Sequence, residues 1–183
     1  MQSYFNKARI FLYAFIVMFL LCFCVLILFH KAEIHIFINR YHSPFFDNFF
    51  MLYTHVGDGY FALFIAALML FYSFKAGFQT ITAFMVMGTI IGIIKRTFFY
   101  GTPRPLMYFE NIYKLYVVPG LEPNLINSFP SGHSASAFAL FLCLTFIVKR
   151  KFYSILFFFF AVLVCYSRMY LSEHFLIDIA VGS

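Results

Sequence analysis

Five long runs of apolar residues, separated by short polar stretches, dominate the chain. They cover residues 8–29, 60–74, 78–98, 134–148 and 152–171. As a helix that rises about 1.5 Å per residue, the first run measures about 33 Å, which is enough to cross the hydrocarbon core of a bilayer. No small-residue cleavage pattern follows this run, so we interpret it as an uncleaved anchor helix and not as a signal peptide. The pattern predicts a bundle of membrane helices.

Two shorter apolar segments complete the pattern. One begins near Glu173 and reaches Ser183, which is about half of a membrane span. The other, HSPFFDNFFMLY, places Ser43 as a helix N-cap, Pro44 as the first helical residue and aromatic residues at helical spacing. We expect this second segment to lie in the membrane interface. The predicted fold class is therefore all-α: a single domain over residues 1–183, built as a polytopic membrane helical bundle of about six transmembrane helices, with the sixth truncated, plus an interfacial helix.

Composition supports a lipid environment. Apolar residues make up 63% of the chain and charged residues only 11%, whereas soluble domains average about 45–50% and about 25%. The net charge of +6 would suit nucleic acid, but the basic residues mostly flank apolar runs, where they anchor helices at lipid headgroups. We therefore expect a lipid bilayer and no nucleic acid as partner. The four cysteines all lie inside apolar runs, and we interpret them as small buried hydrophobic residues.

The charges in the loops are divided unequally between the two sides of the predicted bundle. One side carries six basic residues and no acid, and the other carries all seven acids with seven basic residues. Setting aside four basic residues that belong to the cluster described next leaves six against three. The positive-inside rule then places the N-terminus in the cytoplasm and the acid-rich face outside, in a bacterial-type inner (plasma) membrane. The residues of the basic side are Lys7, Arg9, Lys75, Lys149, Arg150 and Lys151, and those set aside are Lys95, Arg96, Arg104 and Arg168.

Three polar motifs share the predicted outer face. KRTFFYGTPRP, residues 95–105, ends the third run, and PSGH, residues 130–133, begins the fourth. SRMYLSEHFLID, residues 167–178, joins the fifth run to the sixth. Taken singly, these motifs are compatible with basic interfacial anchors, a helix start and a solvated turn. Together they bring two histidines, an aspartate and several basic side chains to one side of the membrane.

The PSGH motif predicts an anion site at the start of a helix. Ser131 suits the N-cap, and Gly132 allows a ligand to approach the backbone closely. The free N–H groups and the positive end of the helix dipole attract an anion. His133 follows these donors directly, so it is placed to deliver a proton to a leaving oxygen.

The third motif predicts a nucleophile. His174 and Asp178 are four residues apart, so on a helix they share one face, where the carboxylate would orient the imidazole and leave its other nitrogen free to attack. Arg168 and Arg104 offer planar guanidinium groups that suit phosphate oxygens. His174 and Asp178 are the one His/Asp pair at metal-ligand spacing, and no third ligand is as well placed, so we expect neither a metal nor another cofactor.

At these residues the sequence resembles the type-2 phosphatidic acid phosphatases, whose pattern is Lys-x6-Arg-Pro, Pro-Ser-Gly-His and Ser-Arg-x5-His-x3-Asp. The second and third motifs are intact. The first departs, because the strict spacing from Arg104 falls on Thr97, so that either Lys95 or Arg96 would be its base. The resemblance implies that His174 forms a phosphohistidine, Asp178 orients it and His133 is the general acid. It also implies phosphate binding by Lys95, Arg104, Ser131, Gly132 and Arg168.

The resemblance implies a phosphorylated membrane lipid as substrate, hydrolysed on the outer face of the membrane. The family's substrates include lipid A phosphates, undecaprenyl pyrophosphate, phosphatidylglycerol phosphate and phosphatidic acid. The small size and the outward-facing site resemble the bacterial lipid A phosphatases somewhat more than the other members. The aromatic loop over residues 99–129 is the expected specificity element. Two alternatives remain: a lipid-to-lipid phosphotransferase with the same site, and a non-catalytic protein that binds anionic lipids.

The remaining histidines are expected to be structural. They lie near the predicted interface, and the sequence indicates no arranged partner for them. Asp58, within the tripeptide GDG, is expected to be a turn or cap residue. The histidines concerned are His30, His35, His42 and His55.

Overall fold

The computed structural model describes residues 2–148 and 152–183, with side chains from residue 8 onward. Within these residues the secondary structure is helical, apart from an isolated bridge between Pro103 and Ile126. The predicted basic residues Lys149, Arg150 and Lys151 and the side chain of Lys7 lie outside the described part. The helices are α1 (Gln2–Leu28), α2 (Lys31–Asn39), α3 (Pro44–Tyr53), a 3-10 turn (Thr54–Gly57), α4 (Gly59–Tyr72), α5 (Phe74–Thr97), α6 (Pro105–Phe109), α7 (Gly132–Ile147), α8 (Phe152–Tyr170) and α9 (Leu176–Gly182).

The expected all-α membrane bundle is confirmed, but fewer helices than six have the length and composition of a full span. Among the described residues, three do so: Ala8–Leu28, Phe74–Thr97 and Phe152–Tyr170. Helix α3 with its 3-10 turn and helix α4 would together form a fourth span, bent by 57°. Helix α7 is apolar but has only 16 residues, and α9 has seven.

The predicted interfacial helix is therefore more closely joined to the bundle than its sequence suggests. Ser43 caps α3 as predicted, since its side chain accepts a hydrogen bond from the backbone N–H of Phe46. However, Asp47 and Phe50 of this helix are buried, and the ring of Phe50 packs 4.6 Å from that of Tyr170 on α8. The helix thus contributes a packed face to the domain in addition to its exposed aromatic face.

Helices α7 and α8 form the centre of the bundle. Small residues at their contact, Ala137 and Ala161, are fully buried and allow the two backbones to approach closely. Helix α1 covers this pair through Phe11, whose ring contacts those of Phe138 and Phe158 edge to face. The packing fixes the N-terminal end of α7 beside the C-terminal end of α8, where the PSGH motif and Arg168 lie.

Two glycines bring further segments against these ends. A Cβ atom at Gly57 would lie 2.6 Å from Cγ1 of Val164 and 3.1 Å from Cβ of His133, so only glycine allows this approach. A Cβ atom at Gly182 would collide with the backbone carbonyl of Ser131. The turn before α4 and the end of α9 are therefore both pressed against the start of α7.

Candidate active site

Backbone hydrogen bonds tie the three motifs together. The N–H of Ser131 donates to the carbonyl of Asp178 (2.9 Å), which links the second motif to the third. The backbone N–H of Arg104 donates to Leu125 (2.8 Å) and that of Ser128 donates to Thr102 (3.1 Å), which links the first motif to the segment that precedes PSGH. Segments far apart in the sequence thus meet at one end of the bundle.

His174 and Asp178 face each other, but not from one helix. Helix α9 begins only at Leu176, so His174 lies in the turn before it and Asp178 in its first turn. The Nδ1 atom of His174 lies 3.5 Å from Oδ2 of Asp178, a contact too loose for a hydrogen bond. The same carboxylate oxygen accepts hydrogen bonds from the hydroxyl of Ser128 (2.5 Å) and the backbone N–H of Phe175 (2.9 Å). These contacts hold the carboxylate in place beside the imidazole.

Burial sets the charge of this pair. It lowers the pKa of His174 to about 3, and the nearby cations Arg168 and Arg104 lower this pKa as well, while Asp178 opposes the shift. Burial disfavours the ionised form of Asp178, but the close imidazole of His174 and hydrogen bonds from Ser128 and the backbone N–H of Phe175 outweigh burial and keep the pKa of this carboxyl below its ordinary value. At neutral pH the imidazole is therefore uncharged beside a carboxylate, which is the state that a nucleophilic histidine requires.

The two predicted arginines are buried and share an acid that sequence reasoning did not assign to the site. The carboxylate of Glu173 forms an ion pair with Nη1 of Arg104 and lies 3.4 Å from Nη2 of Arg168. Arg168 also donates to the hydroxyl of Thr54 (2.8 Å), and Nε of Arg104 donates to the carbonyl of Ile126 (2.9 Å). Both guanidinium groups are thus fixed by several partners, and Glu173 lies between them.

Lys95 and Arg96 differ in their placement. Lys95 is half-buried in the last turn of α5, within electrostatic range of Arg104, Arg168, Asp178 and Glu173. Arg96 is exposed. The geometry therefore favours Lys95 over Arg96 as the basic residue of the first motif, despite its shifted spacing.

Ser131 is the N-cap of α7, and there is open space beside the first turn of this helix. Its hydroxyl accepts hydrogen bonds from the backbone N–H (3.4 Å) and the hydroxyl (2.9 Å) of Ser134. A Cβ atom at Gly132 would meet nothing within 4 Å, so the backbone there borders open space. The N–H groups of a helix's first turn have no partner within the helix, and an anion in this space would satisfy them.

His133 has a partner that the sequence did not reveal. Its Nε2 atom lies 2.7 Å from Oδ1 of Asp58, and Oδ2 of the same carboxylate lies 2.7 Å from Nδ1 of His55. Asp58 is at the N-cap position of α4, but its side chain makes no capping hydrogen bond. The sequence predicted only a turn or cap role for Asp58. It did not indicate the contact with His133, because that residue is 75 positions further along the chain.

The expectation that the other histidines have no arranged partners was wrong. His30 caps α2, and His35 contacts the hydroxyl of Ser172 at 3.2 Å. His42 contacts Asp47 at 3.1 Å, and His55 contacts Asp58 as described above. Among the described residues, no group of three or more His, Cys, Asp or Glu side chains is arranged to hold a metal ion.

Comparisons with known proteins agree with this arrangement. The PAP2 superfamily matches residues 76–183, which include all three motifs. No curated protein matches the sequence significantly. The crystal structure of LpxE from Aquifex aeolicus superposes with a TM-score of 0.72, at 26% sequence identity over 82% of this chain and 86% of that chain.

A second solved structure has the same fold. It is the first transmembrane PAP2-type phosphatidylglycerolphosphate phosphatase from Bacillus subtilis, which superposes with a TM-score of 0.62, at 24% identity over 92% of this chain and 87% of that chain. Because the family match covers more than half of the chain and includes every motif, this membrane protein belongs to the PAP2 superfamily.

Proposed function

We propose that this protein is a metal-independent lipid phosphatase that hydrolyses a phosphomonoester or pyrophosphate of a membrane lipid through a phosphohistidine on His174. The observation that carries the proposal is the neutral, buried imidazole of His174 beside Asp178 and two fixed arginines. Such a group combines a nucleophile with the cations that stabilise a phosphoryl group in transit.

The proposed reaction has two steps. In the first, Nε2 of His174 attacks phosphorus, the bond to the leaving oxygen breaks, and His133 gives that oxygen a proton. Asp178 stabilises the cationic phosphoimidazole at Nδ1. In the second step, water attacks phosphorus, neutral His133 takes its proton, and the P–N electron pair returns to His174. Arg104, Arg168, Lys95 and the first turn of α7 bind the phosphate oxygens throughout.

The position of the site supports a lipid substrate. It lies where α5, α7 and α8 begin or end, so a tail can stay in the bilayer while the phosphate enters the pocket. We propose that this end faces outward and that the aromatic loop over residues 99–129 selects the headgroup. Lipid A phosphates, undecaprenyl pyrophosphate, phosphatidylglycerol phosphate and phosphatidic acid are the candidate substrates.

The experiment is a phosphate-release assay on these four lipids with purified protein in detergent, with and without EDTA. We expect release from at least one lipid and none above background from His174→Gln, which keeps most of the side-chain volume but removes the nucleophile. The control is His30→Gln, which alters an exposed helix cap and leaves release unchanged. Turnover by His174→Gln would refute the phosphohistidine, and loss of turnover on adding EDTA would refute metal independence.

Vanadate provides a second test, because it imitates the pentacoordinate transition state that the cations bind. We expect millimolar vanadate to inhibit the parent protein. The same assay with and without an acceptor lipid distinguishes the alternatives. Release that requires the acceptor indicates a phosphotransferase, and lipid binding without any release indicates a non-catalytic protein.

A further inference from the structure

Asp58 precedes helix α4, but its side chain contacts two histidines and does not cap this helix. Its carboxylate could cap α4, yet both of its oxygens are directed to imidazoles, Oδ1 to Nε2 of His133 and Oδ2 to Nδ1 of His55, each at 2.7 Å. The bend between the 3-10 turn and α4 occurs at Asp58, and Gly57 beside it packs against Cβ and Cδ2 of His133. The tight turn therefore presents the carboxylate to the Cδ2–Nε2 edge of His133.

His133 needs such a partner to act as a proton donor. The charged groups that face it are Arg168 from α8, Arg104 from the loop after α5, and Asp58. Burial and the charges of the two arginines lower the pKa of His133 to about 4, whereas Asp58 raises it. Asp58 supplies the opposing negative charge in direct contact with the ring.

The exposure of the pair fits this role. The side chains of His133 and Asp58 are 28% and 32% exposed, whereas that of His174 is 1% exposed. The pair is therefore more accessible to solvent than the nucleophile, as a group that protonates a departing alcohol and activates water needs to be.

We infer that Asp58 is a positioning residue for His133, which fixes the orientation of its ring and stabilises its protonated form for delivery of a proton to the leaving group. A carboxylate can only accept, so Nε2 of His133 carries the proton of this contact. The transferable proton is then on Nδ1 of the imidazolium. It moves to the leaving oxygen as the P–O bond breaks, and the neutral ring keeps Nε2–H toward Asp58. His55 holds the second carboxylate oxygen.

The inference rests on the proposed function, and its test uses two substrates that differ in their need for a proton. The leaving group of phosphatidic acid is an alcohol that must be protonated, whereas that of 4-nitrophenyl phosphate is a stable phenolate. We expect Asp58→Asn to lower kcat on phosphatidic acid by about 100-fold and to affect 4-nitrophenyl phosphate by less than about threefold, because general acid catalysis contributes about 10²–10⁴-fold only where a proton is needed. His133→Gln should show the same selectivity, and His174→Gln should lose both activities.

The matched control is Glu33→Gln, which makes the same carboxyl-to-amide change at an exposed position of α2, where the side chain accepts a local hydrogen bond from the backbone N–H of His30, and leaves both rates unchanged. Asp58→Glu keeps the charge and should retain more activity on phosphatidic acid than Asp58→Asn. The alkaline limb of the pH profile on phosphatidic acid should move to lower pH in Asp58→Asn by about one unit or more. Equal losses on both substrates, or an unmoved pH profile, would overturn the inference in favour of a merely structural role.

A measurement that needs no turnover separates this inference from the proposed function. In detergent, the NMR titration of ¹⁵N-labelled His133, assigned by its absence in His133→Gln, should have its midpoint about one pH unit or more lower in Asp58→Asn than in the parent. A parent that hydrolyses none of the four candidate lipids would refute the proposed function, whereas an unchanged midpoint would refute the role of Asp58 alone.

Discussion

Glu173 is an acidic residue within a site that we expect to bind an anion. It lies between the two guanidinium groups that we assign to phosphate binding. It is buried with Arg104 and Arg168, and its carboxylate contacts both. The carboxylate balances part of their charge, as a phosphate would. Removing one member of a buried ion pair leaves the other charge without compensation, which typically costs about 3–5 kcal/mol.

We therefore expect Glu173→Gln to have opposite effects on the empty and the occupied site. Without an anion the variant should unfold at a lower temperature than the parent, because two buried guanidinium groups lose their counter-ion. With millimolar vanadate it should gain more in melting temperature than the parent, because no carboxylate competes for the arginines. Thermal unfolding in detergent with and without vanadate measures both effects. An equal gain in the two proteins would show that Glu173 does not compete with the ligand.

His174 makes stability depend on pH in a defined direction. Its ordinary pKa is 6.5 and burial lowers it to about 3 in the folded protein, so between these values the unfolded chain binds more protons than the folded one. The free energy of unfolding therefore rises with pH across this window and is constant above it. We expect His174→Gln to lose less melting temperature than the parent when the pH falls from about 7 to about 5. An identical loss would contradict a neutral, buried imidazole.

At the scale of elements, α2 anchors the turn that carries Glu173 and His174. The amide nitrogen of Asn39 donates to the hydroxyl of Ser172 (3.2 Å) and to the carbonyl of Tyr116 (2.9 Å), and its oxygen accepts from the N–H of Tyr116 (2.9 Å). His35, one helical turn earlier, contacts the same Ser172 hydroxyl. One face of α2 thus holds both the catalytic turn and the aromatic loop.

We expect Asn39→Ala to destabilise the protein by about 1–3 kcal/mol, because it removes the hydrogen-bond partner of the backbone N–H and carbonyl of Tyr116 and one of the two partners of the buried Ser172 hydroxyl. It should also raise KM more than it lowers kcat, since the loop that we assign to headgroup selection loses its anchor. The matched control is Asn48→Ala, an exposed asparagine whose amide bonds only the local carbonyl of Pro44. Similar effects of the two variants on melting temperature and KM would contradict the anchoring role.

The elements also show what the sequence could predict and why. The caps of α3 and α7 at Ser43 and Ser131 depend on local chemistry, so their helix starts could be located closely from the sequence alone. Other contacts depend on how distant helices pack, and no local sequence pattern predicts them. They are the contact of Asp58 with His133 and the ion pair that Glu173 shares between two arginines. For the same reason the sequence left open whether Lys95 or Arg96 belongs to the site, a choice that depends on which face of α5 is covered.

At the scale of the whole molecule, helix α5 is a membrane-spanning helix with the candidate site at its C-terminal end. Its 24 residues extend about 36 Å at about 1.5 Å per residue, which exceeds the hydrocarbon thickness of about 30 Å. Lys75 lies at its first turn and Lys95 at its last, so the two residues are on opposite sides of the bilayer. From the positive-inside rule we expect the Lys75 side to be cytoplasmic and the candidate active site to face outward.

Cysteine labelling in intact bacterial spheroplasts tests this orientation. We expect Glu122→Cys, in the exposed loop on the active-site side, to react with a membrane-impermeant maleimide, and Lys75→Cys to react only after the membrane is permeabilised. The parent protein is the background control, since Cys165 is buried and the other three cysteines lie within apolar helices. The reverse labelling pattern would place the active site in the cytoplasm and would restrict the substrates to lipids whose phosphates face the inner leaflet. The outward assignment therefore decides which pool of lipid the proposed enzyme can reach.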